Sequence, residues 1–311
     1  MSDDLQVAPT DEARLIRVGL AWALLGVVLF SFSLPLTKVA IGGFSPYETA
    51  MGRAVIAGAV AAVLLAVRRV PFPAREHVRP IVFTTIGAVF GWPILLALAL
   101  QRTTSAHAAV IAAFMPLTTA LIAVLRTGER VSRQFWLAAG LGTAALVAFA
   151  LSRGGGEGDD LLADVLIVGA VLFSSTCYVL GAEVTKVMPG WQVISWVVVI
   201  ALPITVPASI GLWWFTHDSY DTTAAQWGAL VLLGLSSMYL GFFAWYRGLS
   251  MAGVAYGGQV QQIQALLTLL WSAWFLGEPV TAGTVATAAV VIACVVWAQR
   301  SRAGVDVAPE E

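Results

Sequence analysis

Charge is what this chain of 311 residues has least of: Asp, Glu, Lys and Arg make up 11% of it, against a hydrophobic share of 59% and a mean hydropathy of +0.85. Soluble domains carry about 25% charged residues, so a water-exposed globule is excluded and an integral membrane protein remains. The net charge of −1 leaves no basic excess for phosphates, which excludes a nucleic-acid binder. Cysteine is scarce as well. Cys177 and Cys294 both fall in apolar stretches, so they read as small buried residues and not as a disulfide framework.

A second absence concerns chemistry. No Asp or Glu stands near the centre of any long apolar stretch; Glu48 and Glu183 lie near segment ends. Carriers coupled to protons or sodium usually keep such a carboxylate, so the solute is expected to move down its own gradient, or coupling runs through His107. Serine-type catalysis wants a nucleophile with a base in reach. His77 and His217 fall in loops, neither Ser236 nor Ser250 sits in a Gly-x-Ser-Gly context, and there is no pair of deep aspartates. An enzyme is therefore not expected, and no cofactor or metal is implied. A channel would want rings of carbonyls or charge and usually oligomeric symmetry, whereas the repeat within this chain argues for alternating access.

What is present is hydrocarbon in long runs. A spanning helix needs about 20 mostly apolar residues, and ten segments meet that measure: 18–41, 48–67, 80–101, 105–125, 132–151, 162–185, 191–214, 226–247, 254–276 and 280–299. The first is too long for a signal-peptide core of about 7–15 residues, so it is expected to stay in the membrane. Loops facing the cytoplasm are enriched in Lys and Arg. With the N-terminus inside, most basic residues, among them Arg14, Arg17, Arg68, Arg69, Arg126 and Arg130, fall on the inner side, leaving Lys38, Arg102 and Arg153 outside. Both termini are thus placed in the cytoplasm of a bacterial-type cell, the chain lying in its inner membrane.

The segments form two halves. Gly128-Glu129-Arg130-Val131 returns as Gly277-Glu278-Pro279-Val280, and the same shift aligns Thr103 to Val124 with Ala252 to Ala273. Thr37-Lys38-Val39 is echoed by Thr185-Lys186-Val187. Five helices per half is an odd number, so the second half must enter the membrane upside down, a layout that places a solute site near the midplane between the halves. The expected organisation is a cytoplasmic tail over 1–17, a first five-helix repeat over 18–151, an external linker over 152–161, a second repeat over 162–299 and a cytoplasmic tail over 300–311. Gly128 and Gly277 should end helices in left-handed conformation. Glu129 and Glu278 should meet the positive end of the helix that follows each.

Phe30-Ser31-Phe32-Ser33 leading to Lys38, Ser45-Pro46 before Arg53, Pro116, Gly128-Glu129, the Leu249–Tyr256 run and Gly277-Glu278-Pro279 together resemble the EamA-type members of the drug/metabolite transporter superfamily. The resemblance covers nearly the whole chain and is strongest to the YddG-type branch. It implies an all-α membrane fold of ten helices in two inverted five-helix repeats, and export of amino acids, aromatic ones among them. A multidrug or metabolite exporter of the same fold is the alternative, with a channel behind it. Where the family often carries a proline to match Pro116, this chain has Ala265, so residue type gives no reason for a matching kink in segment nine.

Polar groups in the oil mark the candidate site. An amide moved into hydrocarbon without a partner costs roughly 2–7 kcal/mol, yet Gln259, Gln261, Gln262 and Gln264 crowd into segment nine. At about 100° per residue, Gln261, Gln264, Thr268 and Trp271 share one face and are expected to line the cavity, while Gln259 and Gln262 bond neighbouring helices. Tyr239 lies near the centre of segment eight, where it begins a ladder with Phe243 and Tyr246. Tyr178 shares a face with Ser174 in segment six. Trp92 adjoins Pro93, which must free a backbone carbonyl, and Phe114 and Met115 precede Pro116 as an apolar wall. Ser33, His107 and Lys38 complete the candidates; Lys38 either snorkels to the outer surface or meets a substrate carboxylate. Arg53 is expected to be structural, pairing with Glu48 or with carbonyls at a helix end. The partners implied are a small-molecule substrate and the lipid bilayer, with no nucleic acid, and a monomer as the working unit.

Overall fold

The computed structural model describes residues 9–127, 132–152, 160–216, 221–252 and 260–303. Gly128, Glu129, Gly154-Gly155-Gly156 and Gln259 lie outside these, and the expectations attached to them with them. Among the described residues the secondary structure is helical, with no strand. Among the described residues seven helical runs are long and apolar enough to cross a bilayer: Arg14–Ala40, Pro46–Val67, Arg75–Leu100, Ser105–Arg126, Leu161–Val184, Gly190–Thr216 and Ala224–Ala252. Ile263–Leu276 and Ala282–Ala298 are shorter apolar helices.

Local chemistry sets the ends and breaks. α1 (Pro9–Ser31) begins well before the apolar run at 18 and passes through Phe32 into α2 (Ser33–Ala40). α3 (Pro46–Val67) opens on a capping box: Ser45 Oγ accepts from Glu48 N at 3.1 Å and Glu48 Oε2 accepts from Ser45 N at 2.7 Å, with Pro46 at the first helical position. α4 (Arg75–Thr85) and α5 (Trp92–Leu100) are joined by a π-helical turn over Ile86–Gly91. Pro93 has no N–H to give to the preceding turn, and the wider winding just ahead of it takes up that defect. α6 (Ser105–Ala112) and α7 (Met115–Thr127) are separated at Ala113-Phe114, next to Pro116.

The remaining helices are α8 (Arg133–Ser152), α9 (Leu161–Val184), α10 (Gly190–Thr216), α11 (Ala224–Leu232), α12 (Gly241–Ala252), α13 (Ile263–Leu276) and α14 (Ala282–Ala303). A second π-helical turn, Leu233–Leu240, joins α11 to α12. The shift of 149 that carries Glu129 to Glu278 carries Ile86–Gly91 onto residues 235–240, inside that second turn. The same shift carries Ala113 onto Gln262, where regular helix is again interrupted before α13. Segment nine thus has its break without a proline, three residues before Ala265.

Packing follows small residues. α1 lies along α12, α3 along α10, α8 along α14, and α9 against both α5 and α7. A Cβ on Gly26 would stand 2.9 Å from Trp245 N, and one on Gly248 2.5 Å from Ala23 N, so α1 and α12 touch backbone to backbone, as membrane helices do through glycine. α8 and α14 meet through Phe135, Ala138, Val291 and Val295, all fully buried.

Gly277 ends α13 in the left-handed conformation, φ 62°, as its position after the last apolar turn predicts. Glu278 departs from expectation. It does not cap the helix that follows; that role falls to Thr281, whose Oγ1 accepts from Thr284 N at 3.2 Å. Glu278 crosses to the start of α6, where Oε1 accepts from Ser105 N at 3.0 Å and Oε2 from Ala106 N at 2.9 Å and Ser105 Oγ at 2.9 Å. A carboxylate satisfies a helix start wherever the fold brings one to it.

Candidate functional site

A narrow cavity opens where most of these helices converge. Its wall takes Phe30 from α1, Ser33 from α2, Arg53 from α3, Ala88 and Trp92 from the α4–α5 run, Met115 from α7, Ser174 and Tyr178 from α9, Gln264 from α13, and Ser237, Met238 and Phe242 from the second π turn and α12. Beside it, a second, smaller space is bounded by Leu34, Ala109, Ala112, Ala113, Pro116, Gln261, Ala265 and Thr268. Met115 and Gln264 border both spaces and stand between them.

Three pairs of lining residues occupy matching places in the two halves. The shift of 149 takes Met115 to Gln264 and Ala88 to Ser237, and the shift of 148 that relates Lys38 to Lys186 takes Phe30 to Tyr178. The rings of Phe30 and Tyr178 lie 6.2 Å apart, and Phe242 meets both, edge-on to Phe30 at 5.0 Å and at 5.8 Å from Tyr178. Such edge contacts add about 0.5–1.5 kcal/mol per pair beyond area burial.

The polar part of the wall is incompletely satisfied. Ser33 Oγ, Gln264 Oε1 and Arg53 Nε are buried and make no hydrogen bond among the described residues. Arg53 is 2% exposed. Its Nη2 donates to Ser237 Oγ at 2.7 Å, and that hydroxyl's own proton goes to Leu233 O at 3.2 Å. The expected pairing with Glu48 does not occur, because Glu48 Oε2 is held by Ser45 N and Oε1 accepts from Thr216 Oγ1 at 2.5 Å. Among the described residues Arg53 has no ion-pair partner. Burying an uncompensated ion costs several kcal/mol after relaxation, so this placement is expensive to the fold.

Of the residues singled out from sequence, the fold brings Ser33, Trp92, Met115, Tyr178 and Gln264 to the larger cavity, and Gln261, Gln264, Met115 and Thr268 to the smaller. Gln261 Nε2 reaches Met115 Sδ at 3.5 Å. Thr268 Oγ1 lies 3.0 Å from Ser31 O and 2.9 Å from Gln264 O, fastening α13 to α1. Trp271 does the same one turn on: its Nε1 donates to Ser31 Oγ at 2.9 Å and its ring stacks on Phe32 at 4.8 Å. Tyr239 shares a 2.8 Å hydrogen bond with Ser195 of α10. His107 is not at a wet surface; it is 3% exposed and its Nε2 lies 2.6 Å from Asp164 Oδ1. Lys38 Nζ donates to Leu100 O at 2.6 Å and Thr103 O at 2.8 Å, which closes the carbonyl end of α5. Phe114 faces the α8–α14 cluster and lies against Gly142.

Three lining residues, Ser237, Met238 and Phe242, escaped the periodicity. The expected ladder of Tyr239, Phe243 and Tyr246 is replaced by Phe242 and Tyr246, while Phe243 turns outward onto Trp22 at 6.3 Å. The π turn closes its bonds over five residues instead of four, so a 3.6-residue count from Tyr239 drifts off by one. Ser237 and Met238 lie inside that turn and were hidden for the same reason.

The sequence pattern of the EamA-like transporter family matches this chain twice, over residues 17–151 and 161–298. A relative from Bacillus subtilis (strain 168), described as the uncharacterized transporter YdeK, is 39% identical over 277 residues, covering 89% of this chain and 95% of its own. A solved structure described only as the crystal structure of a protein superposes with a TM-score of 0.63 at 19% identity, over 94% of this chain and 99% of that one; this likeness concerns the fold alone. With both halves matched, and a relative of nearly the same length, the chain belongs to the EamA-like transporter family, as a multi-pass membrane transporter.

Proposed function

We propose that this transporter exports amino acids with aromatic or other apolar side chains, or similar small metabolites, by alternating access between two inverted five-helix halves. In this reading ten segments span the inner membrane with both termini in the cytoplasm. The carrying observation is that matching positions of the two halves, Phe30 with Tyr178 and Met115 with Gln264, line one cavity. A cavity on the axis that relates the halves is where rocking of one against the other exposes a solute to each side in turn. Its aromatic rings suit an apolar side chain by stacking and contact, and Gln264 Oε1 and Ser33 Oγ, both without partners among the described residues, suit a polar head. The twofold family match supports the repeat. So do the two π turns and the two helix breaks at matching places.

Liposomes containing purified protein, tested with labelled amino acids, are the direct check. The expected result is saturable flux that unlabelled solute competes away, with Gln264→Ala and Gln261→Ala each reducing it about tenfold, the size of one lost hydrogen bond of roughly 1.4 kcal/mol. Ionic conductance in place of saturable flux would establish a channel. Normal flux in both variants would remove the glutamines from the site.

A further inference from the structure

Arg53 is the one lining residue that the carrier reading leaves unexplained. It lies seven residues into α3, about 10 Å from the outer end of that helix, and only 2% of it is exposed. A guanidinium cannot shed its proton inside a protein, so the charge stays whatever surrounds it. Here no carboxylate among the described residues pairs with it. Glu48, five residues earlier, is spent on Ser45 and Thr216, and the acceptor that Arg53 does have, Ser237 Oγ, is neutral. Its Nε–H points to no acceptor among the described residues. α10, the second-half helix that packs along α3, carries no charged residue over Gly190–Thr216, so helix packing at this level does not itself need a cation. An isolated, permanent charge at the wall of a membrane cavity is ordinarily there for what enters the cavity.

Resting on the carrier reading of this cavity, we propose that Arg53 anchors a carboxylate of the transported solute. The cavity then takes organic acids and zwitterions that join a carboxylate to an apolar group, and rejects the corresponding amides and amines. Nε–H, which is buried here, offers one donor once a solute displaces what covers it, and Nη2, which has two hydrogens and gives one to Ser237, offers another. Together they form the flat pair that fits two carboxylate oxygens. Trp92, Met238 and Phe242 receive the apolar group. Gln264 Oε1 is an acceptor for an ammonium where the solute has one.

The test is binding to the purified, full-length protein, read as thermal stabilisation in detergent. Phenylalanine and 3-phenylpropionate are compared with phenylalaninamide and phenethylamine. The two acids are expected to raise the melting temperature at concentrations about tenfold or more below any effect of the amide or amine, the margin of a charge-assisted hydrogen-bonded pair. Arg53→Gln is expected to abolish the shift by the acids, and Arg53→Lys, which keeps the charge but not the fork, to restore part of it. Equal stabilisation by acid and amide in the unaltered protein overturns the proposal, as does a preserved acid preference in Arg53→Gln or the absence of any shift by the acids. Because the first comparison uses the unaltered chain, a variant that fails to fold does not shield the idea. Acid-selective binding without flux in liposomes would sink the carrier reading and leave the Arg53 site standing.

Discussion

Tyr246 illustrates how single residues are held here. Its side chain is fully buried, its hydroxyl has no hydrogen-bond partner among the described residues, and it fills space left by two glycines. A Cβ built on Gly181 would lie 1.9 Å from Tyr246 Oη, and one on Gly190 2.4 Å from Tyr246 Cβ. Overpacking of this kind costs typically 1–3 kcal/mol, so Gly181→Ala is expected to lower stability in detergent by about that amount. Tyr246→Phe removes a buried hydroxyl that bonds nothing, and is expected to be neutral or stabilising. The double variant should recover part of the Gly181→Ala loss, since Cζ of the ring still lies 2.7 Å from the new methyl. Melting curves of the three proteins decide it, and a Gly181→Ala protein as stable as the original would show that the ring moves aside freely. The amides were legible from sequence at this scale because polarity inside a long apolar run stands out, and Gln261 and Gln264 do border the cavities. The isolation of Arg53 was not legible. It depends on Glu48 being engaged by Thr216, a contact between residues 168 positions apart.

Among the elements, helices were readable because a bilayer demands about 20 apolar residues in a row, whereas departures from regular helix were only half announced. Pro93 and Pro116 mark one π turn and one break; their counterparts at Leu233–Leu240 and Gln262 have no proline at all. What fixes those is packing, as where α12 and the π turn close on α1 and α3, and packing has no local code. Helix starts are more transparent. Asp160 caps α9, its Oδ1 accepting from Leu162 N at 2.8 Å, and its other oxygen pairs with Arg102. The Leu162 N–H first, and Arg102 second, hold the Asp160 carboxyl below its usual range. With a folded pKa below the unfolded one, the stabilisation is complete above the ordinary aspartate range near about 4 and is lost as pH falls through the depressed value. The melting temperature of the unaltered protein should therefore exceed that of Asp160→Asn by a constant margin at neutral pH, and the margin should close in acid. A margin that persists undiminished in strong acid would mean that the carboxylate's charge contributes nothing to the cap.

At the scale of the whole molecule, the question is which contact between the proposed halves must break for a solute to leave. The start of α6 is tied to the end of α13 twice over, by Glu278 on Ser105 and Ala106 and by the 2.7 Å approach of Ser105 Oγ to Ser272 Oγ. These ties lie on the side that the charge pattern assigns to the exterior, and in the sequence they are invisible, since Glu278 has the look of a cap for its own helix. If export proceeds by alternating access, α6 and α13 have to part there. Ser105 and Ser272 side chains are close enough for a disulfide once both are cysteine, because a bond of about 2.05 Å needs only a small further approach. The double variant Ser105→Cys with Ser272→Cys, made in a chain whose Cys177 and Cys294 are replaced by alanine, should transport when reduced and stop when oxidised. Transport should return on adding a reductant. Flux that continues with the crosslink formed, as verified by thiol counting, would mean that this contact stays closed throughout the cycle and that solute leaves by another route.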